Sequence, residues 1–215
     1  MQAIMETIFD SGSLLFSIGA GTFLLWCSRG QGLRALLGMM CVILGCGDAF
    51  HLVPRVMHFW MPGDFTAALG FGTQVTSITM TVFYLLLEYT RRIRYGVQGE
   101  KAALRATWAL AAVRIILCLL PQNRWTAPDA PLSWGIIRNI PFAVMGAMAV
   151  ALWLRSARGD KALRWLWLAV LLSFLFYFPV VLFADALPII GMMMLPKTCM
   201  YIWMMVMFLH LPDRA

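Results

Sequence analysis

Seven long apolar segments, separated by short polar ones, follow one another along the chain. Their approximate bounds are 9–27, 33–53, 66–88, 103–120, 133–154, 163–184 and 188–210. A helix that crosses the hydrocarbon core of a bilayer needs about 20 mainly apolar residues, and each segment is close to that length. The pattern therefore predicts an all-α, polytopic membrane protein, a seven-transmembrane helix bundle that forms one domain over residues 1–215.

The composition fits a chain whose surface faces lipid. Of its 215 residues, 61% are hydrophobic and 13% are charged, and the mean hydropathy is +0.79. A soluble domain carries about 25% charged residues, which cover its surface with groups that bind water. The low charge content excludes a water-soluble globular domain and indicates an integral membrane protein.

The basic residues are unevenly distributed between the loops. Of the 17 lysines and arginines, twelve fall in the first, third and fifth loops and the C-terminal tail, whereas the alternate loops hold Arg55 and Arg124. Because cytoplasmic loops are rich in Lys and Arg, we predict that the N-terminus is outside and the C-terminus cytoplasmic. We expect the plasma membrane, which is the inner membrane of a bacterium. The net charge of +7 follows from this topology and requires no nucleic-acid partner.

Five predicted spans carry polar residues near the same end. These residues are Asp48, Gln74, Arg114, Arg138 with the adjacent Asn139, and Lys197. At a rise of about 1.5 Å per residue, they lie about 9–14 Å below the predicted outer surface. Charged side chains inside a membrane are costly and usually mark a functional site. Their common depth predicts a polar pocket that opens to the outside.

The second span ends in the segment GDAFHLVPR, residues 47–55. Asp48 and His51 are three residues apart and share one face of a helix. A carboxylate beside an imidazole orients the ring and raises its basicity, which is the arrangement of a general base or a metal ligand. Arg55 joins this face if the helix continues past Pro54. The alternative is a polar helix end, with His51 and Arg55 at the lipid headgroups.

Three basic residues lie deep in the predicted spans, namely Arg114, Arg138 and Lys197. Arginine binds carboxylate and phosphate groups through paired donors. These cations are therefore candidate ligand-binding residues, together with Gln74 at the same depth and Tyr201 one turn after the lysine. Alternatively, both arginines extend to the headgroups, and Lys197 forms a salt bridge or acts as a nucleophilic amine.

The remaining ionisable residues contribute less to the predicted pocket. The chain has three histidines, which match no standard metal-site spacing, so no metal is predicted. At the inner end of the third span, Glu88 precedes Arg91 and Arg92 by three and four residues. This spacing predicts an ion-pair cluster that is exposed to water at the inner surface.

Two segments carry a resemblance to a known family. Segment 47–55, GDAFHLVPR, resembles the GD-x-x-L-x-x-P type segment of the lysoplasmalogenase-like membrane hydrolases, and segment 183–188, FADALP, is similar to their second aspartate motif. The resemblance implies that Asp48 and Asp185 are catalytic carboxylates that act on a lysophospholipid.

The chain also resembles the microbial rhodopsins. The similarity consists of seven spans, an outside N-terminus, Lys197 in the last span and segment 178–181, FPVV, in the sixth. It implies a retinal Schiff base at Lys197, with Gln74 on the third span in place of a carboxylate counterion.

The leading hypothesis is an intramembrane enzyme, a hydrolase that acts on a lipid-like substrate with an anionic headgroup. The expected partners are membrane lipid or a small amphiphilic or anionic ligand; the sequence identifies neither a cofactor nor an oligomeric state. The candidate catalytic residues are Asp48, His51 and Asp185, and the candidate ligand-binding residues are Arg55, Gln74, Arg114, Arg138, Lys197 and Tyr201. The alternatives are a receptor or sensor for a small anionic ligand, a small transporter, and a retinal-binding protein.

Overall fold

The computed structural model describes residues 2–184 and 186–211, which contain helices and no β-strand. They form seven α-helices: α1 (Gln2–Cys27), α2 (Gly32–Trp60), α3 (Thr66–Tyr95), α4 (Lys101–Leu119), α5 (Leu132–Ser156), α6 (Leu166–Phe183) and α7 (Met194–Leu209). Two 3-10 helices, Pro121–Asn123 and Pro188–Met193, precede α5 and α7. The predicted all-α fold is confirmed.

Each helical stretch is long and apolar enough to cross a membrane. The seven stretches contain between 18 and 30 residues, and the last begins at Ile189 and continues through α7. Large apolar side chains are exposed along the helices, among them Leu15, Trp26, Ile116 and Leu175. Such a surface is stable in lipid and costly in water. The predicted number of helices that are long and apolar enough to span a membrane is therefore confirmed.

The helices form a closed ring in chain order. Each packs against the next from α1 to α7, and α1 also packs against α7. A further contact between α3 and α5 brings α3 towards the centre of the bundle. Because short loops make consecutive helices antiparallel, the ends of α2, α4 and α6 lie beside the starts of α3, α5 and α7.

α2 is longer than the apolar pattern predicts. The predicted second span stops just before Pro54, but α2 continues through this proline to Trp60. A proline inside a helix removes one backbone hydrogen bond, and membrane helices tolerate it because neighbouring groups satisfy the freed carbonyl. The predicted bound is therefore wrong, and Arg55 lies on the same helix as Asp48 and His51.

α3 also extends beyond its predicted bound. It continues to Tyr95 and ends at Gly96, whose φ is 60°. This left-handed conformation is favoured by glycine and terminates helices. The basic residues Arg91, Arg92 and Arg94 consequently belong to α3 and not to the following loop.

α1 and α2 approach closely through two glycines. A Cβ atom on Gly21 would lie 2.8 Å from the carbonyl oxygen of Gly38, and one on Gly38 would lie 2.8 Å from the carbonyl oxygen of Gly21. A larger side chain at either position would force the helices apart. Small residues have this role in membrane-helix packing, and here they allow close contact between α1 and α2.

An aromatic cluster fills the middle of the bundle. The ring of Tyr84 on α3 lies 5.1 Å from that of Phe142 on α5 and 5.4 Å from that of Phe174 on α6, measured between centroids. Its hydroxyl lies 3.2 Å from the hydroxyl of Tyr201 on α7 and 3.4 Å from Oγ of Ser173 on α6. The cluster therefore joins four helices, and Phe142 also lines a cavity between α2 and α7.

Candidate functional site

A cavity lined by both charged and apolar residues lies at the end of the bundle where α2, α4 and α6 finish. Its volume is about 440 Å³, and α2 to α7 all contribute to its wall. The basic residues on the wall are His51, Arg55, Arg114, Arg138 and Lys197. The apolar part of the wall includes Met80, Leu132, Val180, Val181 and Met194. The structure thus brings five of the nine candidate residues together at one cavity.

Arg114 is a fully buried cation on this wall, with 1% of its surface exposed. Its Cζ lies 3.3 Å from the centre of the Phe142 ring. Its Nη2 donates to Oδ1 of Asn139 at 3.5 Å, which is long for a hydrogen bond. Nε and Nη1 are buried and have no hydrogen-bond partner of ordinary geometry among the described residues; the Cys118 thiol, a weak acceptor, lies close to the guanidinium. Because an uncompensated buried charge is costly, this guanidinium retains unused capacity to bind an anion.

Arg138 reaches the same cavity from α5. Its Nη1 donates to Oδ1 of Asn123 at 3.1 Å, and its Cζ lies 4.1 Å from the centre of the Trp125 ring. Asn123 is held at the end of α4, because its Nδ2 donates to the carbonyl oxygens of Leu117 and Leu120 at 2.6 and 2.8 Å. These neutral partners orient the guanidinium without neutralising its charge.

Tyr177 on α6 lies among the three deep cations. Its hydroxyl donates to Oδ1 of Asn139 at 2.9 Å, the oxygen that also accepts from Arg114. Nζ of Lys197 lies 4.6 Å from the centre of the Tyr177 ring. Arg114 and Arg138 are both within electrostatic reach of the tyrosine hydroxyl. The three cations therefore converge on one part of the cavity.

His51 is oriented by α3. Its Nδ1 lies 3.1 Å from Oγ1 of Thr73 and 3.3 Å from the carbonyl oxygen of Leu69. The Thr73 hydroxyl donates to that same carbonyl at 2.8 Å, so the hydrogen-bond network assigns the ring proton to Nδ1. Nε2 then keeps its lone pair. Because the ring lines the cavity, this nitrogen can accept a proton from a molecule bound there.

Arg55 lines the cavity but is already ion-paired. Its Nη2 lies 2.6 Å from Oε2 of Glu6, and its Nε lies 3.9 Å from Oδ2 of Asp10. Both carboxylates belong to α1 and are buried. Since its charge is balanced within the protein, Arg55 offers an anionic ligand less than Arg114 does.

Asp48 occupies a different position from the one its spacing suggests. His51 is bonded to α3, and Asp48 interacts electrostatically with Lys197 on α7. Asp48 is half-buried, and it is not among the described residues that line the cavity. The spacing of two residues sets the helix face that they share, but the hydrogen-bonding groups of neighbouring helices decide which partners they take.

Three further candidates lie away from the wall or outside the described residues. Nε2 of Gln74 donates to the carbonyl oxygen of Cys118 at 3.3 Å, which links α3 to α4. Tyr201 contacts Tyr84 in the aromatic cluster. Asp185 lies outside the described residues, so its catalytic role stays a prediction.

Four residues that contact the cations are absent from the sequence-based candidates, namely Asn123, Trp125, Phe142 and Tyr177. Tyr177 lies two residues before Pro179 in an otherwise apolar run, and its depth matches that of Arg138. The Tyr177 hydroxyl could therefore have identified this residue as a candidate from the sequence. Asn123 and Trp125 belong to the connection between α4 and α5, where no periodicity predicts which way a side chain faces.

A second group of charges lies at the opposite end of the bundle. Arg91, with 0% of its surface exposed, donates from Nε and Nη2 to both carboxylate oxygens of Glu88 at 2.8 Å. Nη2 also donates to Glu100 at 2.6 Å, and Nη1 donates to Oγ of Ser156 at 2.9 Å. The predicted ion pairs are present, but their predicted exposure to water is wrong, because α3 continues to Tyr95 and its neighbours cover the cluster.

Asp160 adds another ion pair at this end, in the loop after α5. Nε of Arg94 and the hydroxyl of Tyr95 both donate to its Oδ2, at 3.0 and 3.1 Å. Burial alone would raise the pKa of Asp160, but these bonds and one from the backbone N–H of Ala162 hold that pKa below its usual value of 3.8.

The chemistry of the wall bears on the class of ligand that the cavity could bind. Within residues 2–184 and 186–211, no group of three or more His, Cys, Asp or Glu side chains could hold a metal ion. The charged side chains on the wall are all basic, and basic groups suit an anion. Comparisons of the chain with protein-family models, with curated proteins and with solved structures found no match.

Proposed function

We propose that this protein binds an amphiphile with an anionic headgroup in the cavity formed by α2 to α7. The observation that carries the proposal is the Arg114 guanidinium. It is buried on the cavity wall, and its Nε and Nη1 have no hydrogen-bond partner of ordinary geometry among the described residues. An uncompensated buried cation costs roughly several kcal/mol. A bound anion removes this cost and gains charge-assisted hydrogen bonds.

The neighbouring side chains support an anion over a neutral ligand. Arg138 and Lys197 line the same cavity, and the partners of Arg138 are the neutral Asn123 and Trp125. A negative charge between these cations would interact favourably with each of them. Because the cavity is partly screened from water, this attraction is stronger than at an open surface.

The apolar part of the wall supports an amphiphile over a small hydrophilic anion. Leu132, Val180, Val181 and Met194 face the cavity beside the cations. An acyl or alkyl chain would bury its surface against them, at about 25 cal/mol per Å² removed from water. A headgroup at the arginines and a chain along the apolar wall would use both halves of the cavity.

The distribution of basic loops supports an outward-facing cavity. Lysines and arginines concentrate in the loops at the end opposite the cavity, and such loops are typically cytoplasmic. With the N-terminus outside, the cavity would accept amphiphiles from the outer leaflet of the plasma membrane.

Hydrolysis of the bound amphiphile is a second candidate function, favoured by the free Nε2 of His51. In this reaction Nε2 takes a proton from water while the water oxygen bonds to the ester carbonyl carbon. The carbon–oxygen bond of the leaving alcohol then breaks, and the proton on Nε2 passes to that alcohol. Arg114 and Lys197 would stabilise the negative charge on the substrate.

Ligand-dependent stabilisation tests the binding proposal. Purified protein in a neutral detergent is heated with an anionic single-chain amphiphile or with a neutral amphiphile of the same chain. At about 100 times its Kd, the anionic one should raise the midpoint of unfolding by about 5–10 °C. The Arg114→Gln variant should lose this rise.

Arg105→Gln is the matched control. Arg105 lies on the same helix, is exposed and does not line the cavity, so its removal changes the net charge equally but should leave the rise intact. Equal stabilisation by anionic and neutral amphiphiles would refute the proposal. Release of fatty acid from an ester-linked lysophospholipid, abolished by His51→Gln while binding persists, would support hydrolysis; binding without release would rule it out.

A further inference from the structure

The cations around the cavity fall into two classes according to their counter-charges. Arg55 is paired with Glu6 and lies near Asp10. Lys197 is attracted by Asp48. Arg114 and Arg138 are different, because no carboxylate among the described residues forms an ion pair with either of them; their polar partners are Asn139 and Asn123. Among the residues that the structure describes, these two positive charges on the wall therefore have no carboxylate counter-charge.

These two guanidiniums are also arranged to act together. Both are within electrostatic reach of the Tyr177 hydroxyl and of the Cys118 thiol. Each is stacked on an aromatic ring, Arg114 on Phe142 and Arg138 on Trp125. Stacking and a neutral amide fix the plane of each guanidinium in advance, so little conformational entropy is lost when a ligand binds.

We infer that the headgroup bound between Arg114 and Arg138 is a phosphate monoester, an inference that rests on the proposed binding function. A phosphate monoester carries about −1.5 to −2 charges at pH 7 and offers three strong acceptor oxygens. It balances both guanidiniums at once. A carboxylate or a phosphate diester carries a single charge and leaves one arginine uncompensated in the membrane. Lys197, already opposed by Asp48, supplies an additional donor.

The test compares headgroups on one alkyl chain. The purified full-length protein is titrated in neutral detergent with ether-linked 1-alkyl-glycerol 3-phosphate, with the corresponding glycerol phosphodiester, with a carboxylate of equal chain length and with neutral 1-alkyl-glycerol. Kd is measured by calorimetry. The phosphate monoester should bind at least about tenfold more tightly than either singly charged amphiphile, which is about 1.4 kcal/mol.

Variants and a soluble probe complete the experiment. Arg114→Gln combined with Arg138→Gln should remove the preference for the monoester, whereas Arg105→Gln should keep it. The single variant Arg138→Gln should reduce the preference for the monoester. Because Arg138 is only half-buried, this variant should fold and test the inference even if the double variant misfolds. Chain-free glycerol 3-phosphate distinguishes a lipid headgroup from a free phosphate ester, and it should bind more weakly than the alkyl-linked form.

The remaining outcomes separate the monoester inference from the proposed function. Equal Kd values for the monoester, the diester and the carboxylate would overturn the monoester inference and leave the proposed function standing. Equal Kd values for these three and the neutral amphiphile would overturn both. If glycerol 3-phosphate binds as tightly as its alkyl form, the preference for a phosphate monoester would be supported. The proposal that the ligand is an amphiphile would be overturned.

Discussion

Arg91 and Arg114 are both buried arginines of the same helix bundle, but their surroundings differ. Near one end, all three nitrogens of the Arg91 guanidinium have partners in Glu88, Glu100 and Ser156. Near the other end, Arg114 has one long bond to Asn139, and its other two nitrogens have no hydrogen-bond partner of ordinary geometry among the described residues.

The difference shows that the partners of a buried charge distinguish a structural residue from a candidate binding residue. The sequence supplies carboxylates to Arg91 from its own helix and from the start of α4, so that charge is balanced within the fold. Around Arg114 it supplies aromatic rings and amides, which orient a cation but do not neutralise it. Among the described residues no carboxylate supplies the missing negative charge, and the proposed function rests on this observation.

Replacement of Arg91 by methionine should have the largest effect on stability. It removes both short hydrogen bonds to the buried Glu88 and leaves this carboxylate only the more distant Arg92, whose Nη1 lies 4.0 Å from Oε1. Breaking a buried ion pair from one side costs about 3–5 kcal/mol. Unfolding in detergent, followed by heat or by a denaturing detergent, measures the change. Arg105→Met, at an exposed position of α4, is the control. Wild-type stability in Arg91→Met would show that ion pairing does not distinguish the two ends.

Replacement of Arg114 by methionine should change the free energy of unfolding in the opposite direction and by a smaller amount. Methionine retains the contact with Phe142 and removes an uncompensated buried charge. The free energy of unfolding without ligand should therefore rise by about 1–3 kcal/mol, while binding of anionic amphiphiles is lost. The same unfolding assay applies. A loss of stability as large as that of Arg91→Met would contradict the comparison.

The smallest effect should come from titrating Asp160. Its pKa is held below 3.8 in the folded protein, chiefly by Arg94 in opposition to burial. A lowered folded pKa means that this ion pair stabilises the fold above pH 3.8 and that the contribution disappears as the pH falls through the folded pKa. The pair should contribute less than about 1 kcal/mol, since such pairs near water are screened.

Comparison with Asp160→Asn isolates this contribution. The difference in unfolding free energy between the wild type and the variant should be constant near pH 6 and should shrink towards zero between pH 4 and the folded pKa. A difference that does not change with pH would show that the Arg94–Asp160 contact does not depend on the charge of the carboxylate.

Much of the fold was predictable because lipid imposes a simple rule on sequence. Every spanning segment needs a long apolar run, and such runs are visible one residue at a time. The bounds were less predictable where two effects compete. Pro54 interrupts the backbone hydrogen bonds of α2, but the helix continues to Trp60, since packing and not local propensity sets its length.

The depth of the site in the bundle was predictable from the sequence, but the contacts between its side chains were less so. Depth along a helix follows from counting residues, so Arg114, Arg138 and Lys197 could be assigned to one layer. Their partners could not. Asn123 lies in a connection with no period, and the Nδ1 atom of His51 bonds to Thr73 on another helix in place of Asp48 on its own.

By itself, the sequence determined that the chain has seven apolar helices and that charged residues recur at one depth within them, because both follow from composition and from the fixed rise of an α-helix. Only the tertiary structure decided which charges are balanced. Ion pairing depends on distances of a few ångströms between side chains on different helices, and those distances arise from packing across the ring and not from spacing along the chain.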